Sequence, residues 1–263
     1  MVEPYTQLLN TVMIQMIKKL ASKYFPEFSR NIYNRINIRR YGGDKYYCPI
    51  CENSFKQFLS GPGKSRINSK CPGCGSLERQ RLLWLYLKNK LLIEKQNISL
   101  LNIAPDYAIQ TKFKQLKNVN YLSIDLNSNL AMEKQDLTNL KFNDNAFDAI
   151  LCYHVLEHIV DDKKALEELF RVLKSGGWAI IQTPFEKDRN KTYEDFSITS
   201  LEERKKAFGQ SDHVRIYGLD YVNKLRDAGF KVNVDNFVSQ FNSEEINKYK
   251  LDKTEEIYFC TKP

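Results

Sequence analysis

The chain has 263 residues, 42% of them hydrophobic, and a formal net charge of +8. That length suffices for one full core plus a small module. No run of about 18 uncharged apolar residues offers a membrane span, and the N-terminus lacks the charged start, apolar stretch and cleavage site of a signal peptide, so the expectation is a soluble, cytoplasmic protein.

Charge is unevenly placed: residues 1–90 carry 16 Lys and Arg against 5 Asp and Glu, the remainder 24 against 27. The basic third either meets an anionic partner, such as nucleic acid, phospholipid or a phosphorylated substrate, or presents a solvated face. Within it, QLLNTVMIQMIKKL at 7–20 sets Leu9, Met13, Met16, Ile17 and Leu20 on one side of an amphipathic helix. The following KYFPEFSRNIYNRINIRRYGG interleaves aromatic and basic residues. That composition suits RNA or a membrane surface as well as a helix packed on its own domain.

Cys48, Cys51, Cys71 and Cys74 then form CPIC and CPGC, separated by 19 residues. Two such turns can direct four thiolates at one ion, and Pro49, Pro72, Gly73 and Gly75 suit the tight knuckles this requires. Disulfides need an oxidising compartment, so structural Zn2+ is the expectation. A closed four-thiolate site has no open position for chemistry. After the second knuckle, Ser76 is a candidate cap for the helix LERQRLLWLYLKNKLL, with Glu78 in its first turn.

From residue 99 the pattern alternates: strand SLLNIA, helix YAIQTKFKQL, strand NYLSIDL, strand FDAILCYH, helix DDKKALEELFRVLKSGG and strand WAIIQTP. This alternation predicts an α/β fold with a doubly wound, mostly parallel sheet. Ala165, Leu166, Leu169 and Leu173 make the apolar stripe of the second helix, and Gly176 stands where a C-cap glycine would. A further helix, LDYVNKLRDAG, precedes FKVNVDNF and EEIYFCTK, which are expected to pair. Such sheets bind ligands beyond the carboxyl ends of their strands. Asp125 ends the second strand about 20 residues after the first turn, where an acidic side chain can accept bonds from both ribose hydroxyls of an adenosine or merely form a turn.

The stretch FDAILCYHVLEHIVDDKKALEELFRVLKSGGWAIIQTP resembles the motif order of class I S-adenosylmethionine-dependent methyltransferases. The segments CPGCGSLERQRLLWLYL, NIAPD, TYEDFSI and AFGQSDHVRIYGLDY resemble, more narrowly, a bacterial subgroup of methyltransferase type 11-like proteins with an N-terminal four-cysteine zinc ribbon. The resemblance implies a seven-stranded Rossmann-like methyltransferase domain over about 77–263, with a lid-like insertion at 184–218. The ribbon would occupy 46–76, after a helical, basic arm over 1–45. It also implies that Asn102, Ala104, Pro105 and Asp106 form the first cofactor turn, in which the usual glycines are missing. Asp125 would hold the ribose, Asp136 and Leu137 would meet the adenine edge, and Tyr153 and His154 would line the methionine end. Asp136 reads equally well as a cap.

The chain has three histidines, His154, His158 and His213. His213 is the expected general base and His154 the second candidate, while His158 reads as structural. Asp212 would orient His213. Arg215 and Tyr217 alternate with it and, with Glu194, Arg204 and Gln210, are candidate acceptor contacts. Three function classes follow: a methyltransferase acting at oxygen on a small metabolite or glycan, an RNA methyltransferase using the basic ribbon, or a non-catalytic zinc module on a decayed methyltransferase fold.

Overall fold

The computed structural model describes residues 26–62 and 66–263; the helix expected at 7–20 lies outside them. The chain divides into two compact units, Met1–Arg81 with Ser243–Leu251, and Leu82–Asn242 with Asp252–Pro263. The division falls after Arg81, inside a helix, and a segment near the C-terminus joins the first unit.

In the first unit, α1 (Pro26–Tyr41) leads into β1 (Gly42–Cys48), which pairs antiparallel with β2 (Asn53–Phe55). The start of α2 (Glu78–Leu85) and all of α7 (Ser243–Tyr249) complete it. Arg81 ties these pieces together. Its buried guanidinium donates to the carbonyls of Ser76, Ser69, Tyr249 and Lys250 at 2.7–3.0 Å and lies 4.9 Å above the Phe58 ring. Four carbonyls from three separate segments satisfy it, which is what allows this charge to be buried. Ser76 does not cap α2. Instead Gln80 Oε1 accepts from the Leu77 amide at 2.8 Å, because the Ser76 hydroxyl is occupied among the cysteines described below.

The second unit holds a seven-stranded sheet in the order β10-β11-β7-β6-β3-β4-β5. Its strands are β3 (Ile98–Ile103), β4 (Val119–Asp125), β5 (Glu133–Lys134), β6 (Phe147–Tyr153), β7 (Leu173–Gln182), β10 (Lys231–Asp235) and β11 (Ile257–Thr261). Only β11 runs antiparallel to its neighbours. The expected pairing of the two last apolar runs is β10 against β11. Around the sheet lie α3 (Tyr107–Phe113), α4 (Asp162–Val172), α5 (Leu201–Phe208) and α6 (Tyr221–Asp227), and a small ladder joins β8 (Tyr193–Glu194) to β9 (Arg215–Ile216). Apolar strand residues such as Leu101, Ile150 and Ile181 face α4 residues Ala165, Leu166 and Leu169 in one buried cluster. Each buried Leu or Ile contributes about 1.5–3 kcal/mol.

The α4 helix starts as its sequence suggests, with Asp161 accepting from the Lys164 amide at 2.9 Å, but it ends at Val172. Gly176 is therefore not its C-cap. Leu173 is already extended and pairs with Phe147, so sheet pairing ends the helix before the glycine, whose φ of +76° turns the chain within β7. Strand order reverses between β3 and β6, which opens a crevice at their carboxyl ends. Among the described residues no helix is long and apolar enough to cross a membrane.

Candidate active site and metal centre

The four ribbon cysteines converge within the first unit. Cys48 closes β1, Cys51 follows in the turn before β2, and Cys71 and Cys74 flank the second knuckle. The sulfurs of Cys48 and Cys74 lie 3.6 Å apart and those of Cys51 and Cys71 3.7 Å apart. All four lie within 4.8 Å of one another, and all are free thiols. A tetrahedron with Zn–S bonds of about 2.3 Å has edges of about 3.8 Å, so donor set and spacing fit zinc. Ser76 Oγ sits 3.2 Å from Cys74 Sγ and 3.4 Å from Cys48 Sγ, close enough to donate to a thiolate. At Gly73 a Cβ would stand 3.1 Å from Cys51 Sγ and 3.0 Å from the Phe55 ring, so any side chain there would press on that sulfur and its ring neighbour.

In the second unit, the crevice between β3 and β6 is bracketed by two non-glycine residues in left-handed conformation, Ala104 (φ +47°) and His154 (φ +57°). Each is held there by the sheet. The Ala104 amide donates to Ile124 O and the His154 amide to Gln182 O, both at 2.8 Å. This conformation costs a non-glycine residue about 1–2 kcal/mol, and such strain persists where surrounding structure imposes it, commonly at functional sites.

Around the turn at Ala104 and Pro105 the expected residues separate by role. Asp106 caps α3, accepting from the Ile109 amide at 3.1 Å. Asn102 is buried and donates to Tyr121 OH at 2.9 Å, joining a network in which Gln110 accepts from Ser123. Its side chain fastens β3 to β4 and α3. Asp125 accepts at Oδ1 from the amides of Asn127 and Ser128, at 2.7 and 2.6 Å; its Oδ2 has no partner among the described residues. Asp136 is exposed and forms a turn with Thr138, while the Leu137 side chain lies in the core.

Sequence reasoning missed Glu157. The residue is 1% exposed, and all three histidines gather near it. Glu157 Oε1 lies 3.3 Å from His154 Nδ1 and 4.0 Å from His158 Nε2, Oε2 accepts from Thr183 Oγ1 at 3.0 Å, and His213 packs edge-on against His158 with ring centroids 4.8 Å apart. Burial pushes the Glu157 carboxyl up, yet the bond to His154 and the nearby imidazoles hold it below its ordinary value. Burial, then the neighbouring His158, lowers the His213 pKa, against an opposing pull from Glu157. The HVLEH motif was the available signal, but spacing alone does not reveal that residue 213 returns to it.

Asp212 approaches His158, with its carbonyl 3.2 Å and its Oδ2 3.4 Å from His158 Nδ1, and its charge also acts on His213 against the effect of burial. His213, Arg215 and Tyr217 do point inward together, at 6%, 1% and 0% exposure. Arg215 commits four of its five N–H donors within the protein. It donates to the carbonyls of Leu156, Ile159 and Val160 and to Glu194, so its fork straps β9 to the 156–160 loop. Tyr217 donates to Asp162 at 2.7 Å and lies in the core. The insertion at 184–218 lines an open cleft of ≈ 570 Å³ whose lining includes Phe185, Arg189, Lys206, Phe208, Gln210 and His213. Arg204 donates to the Ile198 carbonyl within the insertion.

Residues 95–181 match the family model of a methyltransferase domain. Demethylmenaquinone methyltransferase of Bacteroides fragilis is 36% identical over 75 residues, 28% of this chain and 31% of its own. Ajmaline N-methyltransferase of Rauvolfia serpentina is 31% identical over 152 residues, 57% of this chain and 46% of its own. The chain thus spans about a third to a half of the length of these curated relatives. An S-adenosylmethionine-dependent methyltransferase from Mesorhizobium loti superposes with a TM-score of 0.47 at 16% identity, over 68% of this chain and 97% of that one.

Proposed function

We propose that this protein is an S-adenosylmethionine-dependent methyltransferase acting at an oxygen of a small metabolite or glycan, with a zinc ribbon as its structural appendage. The observation that carries the reading is the pair of left-handed residues, Ala104 and His154, which follow β3 and β6 on either side of the strand-order switch. The methyltransferase-family match over 95–181 covers the same strands. A small residue at 104 lets the backbone approach a ligand that glycine would otherwise admit.

When bound, the cofactor supplies a methyl group already activated by its sulfonium. The chain's own task is to bind and orient it. Asp125 offers its second carboxylate oxygen to the ribose hydroxyls, the backbone at Asp136 and Leu137 meets the adenine edge, and Tyr153 with His154 lines the methionine end. Asn102, Pro105 and Asp106 act indirectly, by shaping the turn. The acceptor occupies the cleft under the insertion, where aromatic and cationic side chains suit a partly apolar molecule. A hydroxyl acceptor must lose its proton, and His213, which lines the cleft and is kept neutral by burial, is placed to receive it, with His154 as the second candidate. The names of the relatives span quinone and alkaloid acceptors; the choice of oxygen rests on the histidines alone. Arg215, Tyr217 and Glu194 support the site as its scaffold.

In the first unit Cys48, Cys51, Cys71 and Cys74 would hold Zn2+ and leave it no open position. The proposed extents are 1–45 for the arm, 46–76 for the ribbon and 77–263 for the methyltransferase domain, of which Ser243–Leu251 belongs to the first compact unit. Neither the RNA-binding reading nor the non-catalytic one is favoured by the relatives. Calorimetric titration with S-adenosylmethionine and S-adenosylhomocysteine tests the proposal. Saturable binding of both is expected, and binding of neither would overturn the enzymatic reading.

A further inference from the structure

We infer that Glu157, His158 and His213 form a second metal site, for a divalent transition ion, at the acceptor end of the crevice. One ligand atom from each lies within 4.8 Å of those of the other two. Two imidazole nitrogens and one carboxylate oxygen suit ions of the Mn2+ to Zn2+ series and not Mg2+ or Ca2+, which prefer all-oxygen sets.

The direction of the lone pairs is the central argument. His158 Nδ1 faces the Asp212 carbonyl at 3.2 Å and the Asp212 carboxylate at 3.4 Å. Both are acceptors, so Nδ1 carries the hydrogen and the lone pair of a neutral ring sits on Nε2. That atom lies 4.0 Å from Glu157 Oε1, which is only an acceptor when ionised and also faces His154 Nδ1 at 3.3 Å. Two acceptors on one gap call for a proton, a bridging water or a metal ion between them. The third group, His213, extends to the same gap and closes a two-histidine, one-carboxylate set.

The surroundings are those of a built site. A carbonyl behind His158 and the Thr183 hydroxyl behind Glu157 orient two ligands from outside, as such partners do around bound metals. The backbone adds a clamp. The Val214 amide donates to Glu157 O at 2.9 Å, and Arg215 fastens the same strand to residues 156–160, so His213 is pinned opposite the other two. Ligands around a metal at about 2.1 Å lie about 3.0–3.4 Å apart in tetrahedral or octahedral geometry, so binding requires only small side-chain rotations. His158 remains partly exposed, at 34% of its side chain, and the cleft opens at His213, which gives an ion a way in.

This site deepens the methyltransferase reading, because an ion there makes His213 a ligand and leaves His154 to receive the acceptor's proton. Metal binding needs neither cofactor nor turnover, so the two fail separately. The test is equilibrium dialysis of the full chain, its ribbon metal retained, against Co2+ alone, followed by visible absorption. The expected result is one equivalent beyond the ribbon's, with d–d bands and no thiolate charge transfer. His158→Ala, at a partly exposed position, and Glu157→Gln should each weaken that equivalent tenfold or more, while ribbon metal content and the melting curve of His158→Ala stay as in the parent. An absent extra equivalent would overturn the site, as would one held equally by the parent, His158→Ala and His213→Ala. Such a result would assign the gap to a proton or a bridging water and leave the cluster without a metal.

Discussion

Asp125 and His213 carry the two residue-scale predictions, and they differ in which quantity should move. Asp125 spends Oδ1 on its own turn and has Oδ2 to offer. Replacing it with alanine therefore removes charge-assisted bonds to the ribose and should weaken S-adenosylmethionine binding by about 1.5–3 kcal/mol. Calorimetry reads this directly, and unchanged affinity would take Asp125 out of the cofactor site. His213 sits on the acceptor side, so His213→Ala should lower turnover about 100-fold or more and leave cofactor affinity nearly constant. Turnover of the variant close to the parent's would remove His213 from the mechanism. The same loss is expected whether His213 takes a proton or holds an ion, and the Co2+ count separates those roles.

At the scale of elements, the site depends on two straps that do no chemistry. Arg215 joins β9 to the loop after β6 through three carbonyls and Glu194, and it lies 3.6 Å from the buried Asp162 carboxylate. A lysine cannot reproduce this planar fork. Arg215→Lys should therefore cost about 2–4 kcal/mol, seen as a shifted urea midpoint, because several buried carbonyls lose their donor. A midpoint equal to the parent's would show that the strap is dispensable. The second strap is α4, where Glu168 binds Arg171 at both oxygens and accepts from the Leu140 amide at 2.7 Å. The Arg171 bonds above all hold the Glu168 carboxyl below its ordinary range. Because the unfolded chain binds this proton more readily, the contribution is complete above an ordinary glutamate pKa of about 4.3 and is lost as pH falls through the lower folded value. Glu168→Gln should accordingly flatten the fall of Tm between about pH 5 and 3. An unaltered slope would mean that other carboxylates govern acid unfolding.

For the whole molecule, the ribbon metal is a matter of folding. Protein purified without added metal should hold about one zinc at the four thiolates, by elemental analysis. Cys71→Ser should reduce stability or solubility far more than cofactor affinity, since a structural ion contributes folding energy. Less than half an equivalent of metal in the parent, with its thiols oxidised, would contradict the site. The cysteine pairing, the alternating strands and helices and the place of Asp125 at a strand end were legible in the sequence alone, because knuckle spacing, side-chain periodicity and turn chemistry act over a few neighbouring residues. Tertiary structure decided the rest. Ser76 left its helix to join the thiols, Leu173 left α4 for the sheet, Arg215 strapped β9 to the 156–160 loop, and His213 returned to His158 and Glu157. In each case the deciding partner is distant in sequence, and a buried polar group goes to whichever partner satisfies it when water is removed, a choice that no local spacing records.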